Sequence, residues 1–271
     1  MPALNAISPD KLARLIGTPG APAIIDIRTD GDDRAVPGSI RRTPAQIRNQ
    51  AERFTGLTAV LVSADGGADA QAAAAWLRQA GIPAEVLEGG IAAWHAAALP
   101  AIDLSALPNR NGPSLWVTRA RPKVDRIACP WLIRRFIDPE AVFLFVPTPD
   151  VAAVAKETGA EPFDVEGVRW SHDGEACSFD AFLDGFGLSG FEPLTRLAAI
   201  VRGADTARPD LAPEAAGLLA VSLGLSRMFT EDDAQLQAGL LVYDALYRWS
   251  RDATGERHDW TSHTPRTRTG A

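Results

Sequence analysis

The chain has 271 residues, of which 46% are hydrophobic and 23% charged, and its formal net charge is −7. At about 150 residues per domain this length suggests two domains, and the composition is that of an ordinary soluble globular protein. A chain this acidic is no general polyanion binder, so a nucleic-acid partner is not expected. No apolar run approaches the ~20 residues needed to span a bilayer. The opening Met1-Pro2-Ala3-Leu4-Asn5 lacks the basic and apolar regions of a secretory signal, so the expected compartment is the cytoplasm.

Charge is spread over both halves, with 9 basic and 10 acidic residues up to Pro100 and 18 and 24 after it. Only a local patch could therefore attract an anion. Lysine occurs only at 11, 123 and 156, a bias that suits a GC-rich bacterial genome as well as a functional choice. The two cysteines, Cys129 and Cys177, both lie in the second half. Two thiols, four histidines and no CxxC pair exclude an iron–sulfur ferredoxin or a four-cysteine zinc module, and a disulfide is not expected in a reducing compartment.

In chain order, the β-branched run Ala23-Ile24-Ile25-Asp26-Ile27 predicts a buried strand. Ala59-Val60-Leu61-Val62 predicts a second and Ala84-Glu85-Val86-Leu87 a third. Between the last two, residues 70–80 carry an Ala-rich helical pattern that stops at Gly81. Strand–helix–strand alternation with short connections implies an α/β domain built on a parallel sheet.

Three segments of this half resemble the rhodanese family. Ile25-Asp26-Ile27-Arg28 is similar to its D-x-R strand, and Val36-Pro37-Gly38-Ser39-Ile40 to its H-I-P-G-A turn. Leu87-Glu88-Gly89-Gly90-Ile91-Ala92-Ala93-Trp94 is similar to its L-x-G-G-x-x-x-W close. The resemblance covers about residues 5–100 and gives a rhodanese-like domain over 1–100. In active rhodaneses the loop after the second of these strands reads C-x-x-G-x-R-S, and its cysteine carries a persulfide inside a cradle of backbone N–H groups. Here the loop reads Ala64-Asp65-Gly66-Gly67-Ala68-Asp69-Ala70. With Gly67 at the family glycine, Ala64 stands at the nucleophile, Asp69 at the arginine and Ala70 at the serine. The resemblance thus implies the fold without sulfurtransferase activity. The domain's use would be docking of a protein partner or regulation, or else only that of an inherited scaffold.

Residues 101–113, rich in Pro, Asn and Gly, read as a linker. Leu115-Trp116-Val117-Thr118-Arg119 and Val142-Phe143-Leu144-Phe145-Val146 predict strands, 165–172 alternates, and Asp173-Gly174 signals a hairpin toward Cys177. Apolar spacings of three and four predict helices over 179–186, 193–202, 213–228 and 234–251. In the last of these, Leu236, Leu240, Tyr243, Leu246 and Tyr247 form one face. Residues 114–254 thus read as a helix-rich α+β domain, and 255–271 as a loose tail. Within it, residues 116–138, 171–179 and 199–205 resemble the carboxy-terminal domain of the ChrB family of chromate-resistance proteins, over about 114–252. That resemblance implies a role in chromate resistance through sensing or regulation. Family members often carry a different amino-terminal domain linked to transcriptional control, so direct gene regulation is not implied here.

Three groups of residues carry candidate chemistry. Arg119, Arg121, Lys123, Arg126, Arg134 and Arg135 oppose the single acid Asp125, a local excess of +5. Arginine forks suit tetrahedral oxyanions, with Arg119, Arg121, Lys123 and Arg126 as the candidate site; the alternative is a solvated helix face paired with carboxylates. Cys129 precedes Pro130: it is either a helix N-cap with thiolate character or, if the helix begins near Asp125, a packed core thiol. His172 and Cys177 flank the Asp173-Gly174 turn and could hold zinc or iron, with Asp173, Glu175, Asp205 or Cys129 completing the set and Asp205 preferred. The alternative there is a hydrogen-bonded histidine and a packed cysteine. His95, His258 and His263 are given no role.

The leading expectation is an accessory or sensing protein of chromate and oxyanion stress with a His/Cys metal site. The alternatives are a metal- or thiol-dependent redox enzyme acting through His172 and Cys177, and an interaction module that docks a protein partner on the inactive rhodanese-like domain.

Overall fold

The computed structural model describes residues 5–29, 32–109 and 112–256. The β-branched runs form a five-stranded sheet from β1 (Ala6–Ile7), β2 (Ala23–Asp26), β4 (Ser39–Arg41), β5 (Ala59–Val62) and β6 (Ala84–Leu87). Its order is β1-β6-β5-β2-β4, and every pair is parallel. Parallel strands need crossovers. Helices α1 (Pro9–Ala13), α2 (Pro44–Asn49), α3 (Ala68–Gln79) and α4 (Gly90–Ala96) stand between or after them.

Alternating residues of these strands enter two separate cores. Ile25, Leu61 and Val86 pack with Ala70, Ala74 and Leu77 of α3. Ile24, Val60 and Leu87 face the other way, into a core that also contains Trp94, Trp131, Phe136 and Tyr247. One hydrophobic cluster therefore runs through both halves of the chain. Gly17, at φ +76, shows how close the halves come: a Cβ there would lie 2.4 Å from the Phe136 ring and 2.6 Å from that of Tyr247. The Gly38 amide donates to the Phe136 carbonyl at 2.6 Å, and Glu140 receives both Arg42 and Arg53.

The segment read as a linker is partly built into this joint. Its first residues form β7 (Ile102–Asp103), antiparallel to β3 (Arg34–Ala35), and bury Ile102 and Leu104. Short Pro- and Asn-rich stretches give no periodicity, so this pairing left no pattern in the sequence.

The second half carries a three-stranded parallel sheet, β10-β8-β9, of Glu161–Pro162, Leu115–Arg119 and Val142–Val146. Around it lie α5 (Asp125–Leu132), α6 (Val151–Thr158), α7 (Ser178–Gly185), α8 (Glu192–Asp205), α9 (Ala215–Met228) and α10 (Asp232–Asp252). The last four match the helical spacings closely. The alternation over 165–172 does not give a strand. Gly167, at φ +81, turns the chain, and Trp170 leaves the row to stack on Phe182 at 4.7 Å and Phe186 at 5.2 Å. The Asp173-Gly174 signal does give a tight turn, closed by an Asp173–Ala176 bridge.

Helix α5 decides the Cys129 question. It begins at Asp125, so Pro130 is inside the helix and Cys129 is fully buried on it rather than capping it. Burial, with Asp125 nearby, pushes that thiol far up, which removes thiolate character. Most of the tail read as loose, with His258 and His263, lies outside the described residues. No described helix is long and apolar enough to cross a membrane.

Candidate metal centre

Four side chains from four places in the second half converge. Asp125 opens α5 and is 1% exposed, while Asp205 closes α8, with its Oδ1 accepting the Asp125 amide at 3.3 Å. Asp164 follows the β10 segment in a left-handed conformation (φ 51) that few non-glycine residues adopt. Its amide donates to the Trp170 carbonyl at 2.8 Å, which fixes that conformation. His172 approaches from the tight turn and is the most exposed of the four, at 40%. Its Nε2 lies 3.1 Å from Asp205 Oδ2, and 3.5 Å from both Asp125 Oδ2 and Asp164 Oδ1.

An imidazole nitrogen carries one proton at most, so it can satisfy only one of three carboxylates. The shortfall is visible at Asp125. Its Oδ2 accepts the Ser178 amide at 2.6 Å, but its buried Oδ1 has no hydrogen-bond partner among the described residues. Burial first, and then the neighbouring Asp205 and Asp164, push the Asp125 carboxyl well above the usual range. Burial and Asp164 raise Asp205 in the same direction. One ligand atom each from Asp125, Asp164 and His172 lies within 4.8 Å of the others. The 3.1–3.5 Å separations around Nε2 match the ~3.0–3.4 Å between donors that a cation with ~2.1 Å bonds would impose. Outside them, Ser178 Oγ donates to Asp164 Oδ1 at 2.8 Å, and Arg119 and Arg126 hold Asp164 Oδ2 at 2.8 and 3.2 Å. Such outer contacts orient metal ligands.

Of the sequence-predicted trio, His172 and Asp205 come together and Cys177 stands behind them. Cys177 is the N-cap of α7, where its amide donates to Asp180 Oδ2 at 2.9 Å. Asp180 is in turn held by Arg202 at 2.7–2.8 Å. The thiol is buried and is pushed far up, first by burial and then by the neighbouring Asp125. Asp125 and Asp164 are the donors that sequence reasoning missed. In the sequence Asp125 is the lone acid of a basic stretch, and that isolation is its available signal. Glu175, 94% exposed at its side chain, points to Arg208 instead.

The basic cluster is dispersed by its own partners. Arg121, itself at φ 59, reaches across to the end of α9, donating to the carbonyls of Ser226, Phe229 (2.9 Å) and Thr230 (3.2 Å). Arg135 grips Asp244 at 2.8 Å, and Arg134 lies over the Phe143 ring. Lys123 is exposed, and only Arg119 and Arg126 adjoin the acidic site. The expected four-residue oxyanion grip is therefore not assembled, because internal carboxylates and carbonyls take the guanidinium groups first.

In the first half, the loop after β5 exposes Ala64, and two of its amides find acceptors within the loop. Gly67 N–H donates to Asp65 Oδ1 at 2.8 Å, and Gly66 N–H to Ser63 Oγ at 2.9 Å.

Residues 8–97 match the family model of the rhodanese-like domain, and residues 116–250 that of the ChrB C-terminal domain. The chain joins a rhodanese-like domain to a ChrB C-terminal domain. Over 132 residues it is 40% identical to protein ChrB of Cupriavidus metallidurans, a match that covers 49% of this chain and 39% of that protein. The chain thus spans well under half the length of this relative. Among solved structures, a thiosulfate sulfurtransferase from Pseudomonas aeruginosa is 32% identical, with a TM-score of 0.34, covering 38% of this chain and 20% of that one. A rhodanese-related protein from Thermoplasma volcanium is 21% identical, with a TM-score of 0.32, over 36% and 97% of the two chains. The metal-ligand candidates all fall inside the ChrB C-terminal domain, and the self-occupied loop inside the rhodanese-like domain.

Proposed function

We propose that the chain is a metal-dependent accessory or sensing protein of chromate stress, with its working centre in the ChrB C-terminal domain. The observation that carries this reading is the buried Asp125 Oδ1, left without a donor beside Asp164, Asp205 and His172. Three carboxylates in one partly dry site repel one another, and a divalent cation reverses that repulsion. One imidazole with carboxylate oxygens is a hard donor set, which favours iron(II) over a thiolate-type zinc site. Arg119 and Arg126, bound to Asp164, set the orientation of that ligand and leave positive charge beside the opening at His172.

Redox chemistry at a thiol is disfavoured by the burial of Cys129 and Cys177. The rhodanese-like domain then serves as a packing partner, since its sheet shares a core with α5 and α10.

Elemental analysis after loading with iron(II) or zinc tests the reading. Near-stoichiometric metal is expected in the wild-type protein and in Cys177→Ser, with loss of about 100-fold or more in affinity for His172→Ala. Folded wild-type protein that takes up neither metal, or uptake unchanged in His172→Ala and Asp125→Ala, would overturn it.

A further inference from the structure

A cavity of about 240 Å³ lies at the joint of the two domains, and none of the four metal-ligand candidates lines it. Its walls are aromatic: Trp94 from the rhodanese-like domain, and Phe136, Phe191 and Tyr247 from the ChrB C-terminal domain. Trp94, Phe136 and Tyr247 are each at most 1% exposed. Trp94 Nε1 donates to the Pro100 carbonyl at 2.8 Å, and Phe136 meets Tyr247 edge-on at 5.2 Å, so the walls are held in place. A preformed apolar recess at a domain boundary is a usual place for a small ligand. A dry cavity of about 150 Å³ accepts a benzene ring, so this one has room for a phenyl or indole group.

The fold gives up stability at this wall. Tyr247 Oη is buried and has no hydrogen-bond partner among the described residues, an arrangement that costs a core without helping it.

The charges at the mouth select the occupant. Three charged residues line the cavity, Asp10, Arg14 and Arg251. Arg251 is already spent: Nε and Nη2 hold Asp252 at 3.0 and 2.9 Å, and Nη1 donates to the Arg14 and Ile16 carbonyls. Asp10 and Arg14 are exposed, and neither side chain has an ion-pair partner among the described residues. The Arg14 amide donates to the Asp10 carbonyl at 3.3 Å, so the two stand one turn apart at α1. Residues so spaced lie side by side, with ~5–6 Å between their Cβ atoms. A carboxylate alone would gain Arg14 and face Asp10, and an amine alone would do the reverse. A ligand with an ammonium and a carboxylate on one carbon meets both. We propose that the cavity binds an aromatic α-amino acid, with its ring between Trp94, Phe136, Phe191 and Tyr247, its carboxylate on Arg14 and its ammonium on Asp10.

Equilibrium dialysis of the full chain against L-tryptophan and L-phenylalanine tests this. Saturable uptake of one equivalent is expected for at least one of them. Analogues lacking the ammonium (indole-3-propionate, 3-phenylpropionate) or the carboxylate (tryptamine, phenethylamine) should each bind about tenfold more weakly. Asp10→Asn should abolish the preference over the ammonium-free analogue, and Arg14→Gln the preference over the carboxylate-free one. Ala13→Leu, which places bulk in the cavity wall, should abolish uptake. If Ala13→Leu does not fold, the two exposed charge variants decide. No saturable uptake of either amino acid at millimolar concentration, or analogue preferences unchanged in both charge variants, would overturn the proposal.

Discussion

Asp26 and Asp125 are each about 1% exposed, one in each domain, and their surroundings are opposite. Asp26 is met by two guanidinium groups, Arg28 at 3.0 Å through both Nε and Nη2, and Arg41 at 2.9 Å, besides the Arg28 amide at 3.0 Å. Asp125 receives one amide, and it faces two further carboxylates. The first carboxylate is neutralised inside the fold and serves only the fold. The second is short of positive charge, and a buried group left short is where a ligand has most to gain. The loop at Ala64 belongs with Asp26: Ser63 and Asp65 supply the Gly66 and Gly67 amides with acceptors, so an anion that sought those two amides would displace bonds already made.

This contrast can be broken in three places. Asp26→Ala should cost the most, about 3 kcal/mol in urea unfolding, because it removes the carboxylate shared by Arg28 and Arg41 and leaves Arg28, which is 3% exposed, only Asp32 and the Arg34 carbonyl. A loss below about 1 kcal/mol would show that Asp26 is not the structural anchor described here. Asp125→Asn should act in the reverse direction. In metal-free protein it removes a repelled carboxylate and raises stability by about 1 kcal/mol, while in metal-loaded protein it lowers the thermal midpoint. The same sign in both states would mean that no cation relieves that site. Ala64→Cys should do least. Thiosulfate:cyanide turnover is expected to stay at background, since the new thiol would enter a loop that carries Asp65 and Asp69 and whose Gly66 and Gly67 amides are already engaged. Measurable turnover would show that the missing cysteine was the sole defect.

Much of the architecture was legible because it rests on local patterns. The β-branched runs at Ile25, Val60 and Val86 became the parallel sheet, and the three- and four-residue spacings of α7 to α10 became helices. Half of the candidate site was legible too. His172 stood beside a turn signal, and Asp205 at the end of an apolar helix. Asp164 gave no signal, since its place depends on a left-handed residue and on the Trp170 carbonyl across an irregular segment. Cys177 was misplaced for a related reason. Proximity to His172 in the chain suggested a shared pocket, but the start of α7 turns its thiol behind Asp125.

The sequence by itself determined the rhodanese-like and ChrB-like segments, the parallel sheet, an alanine at position 64, and the presence of arginines and acids in one region. Those are properties of composition and of neighbours a few residues apart. Only the tertiary structure decided which acids meet His172, that most of the cluster's arginines are spent on Asp164, Asp244 and the end of α9, and that Cys129 is core rather than cap. The reason is distance along the chain. Asp125 and Asp205 are brought together by the packing of α5 against α8, and no local spacing records which distant charge a buried group will find.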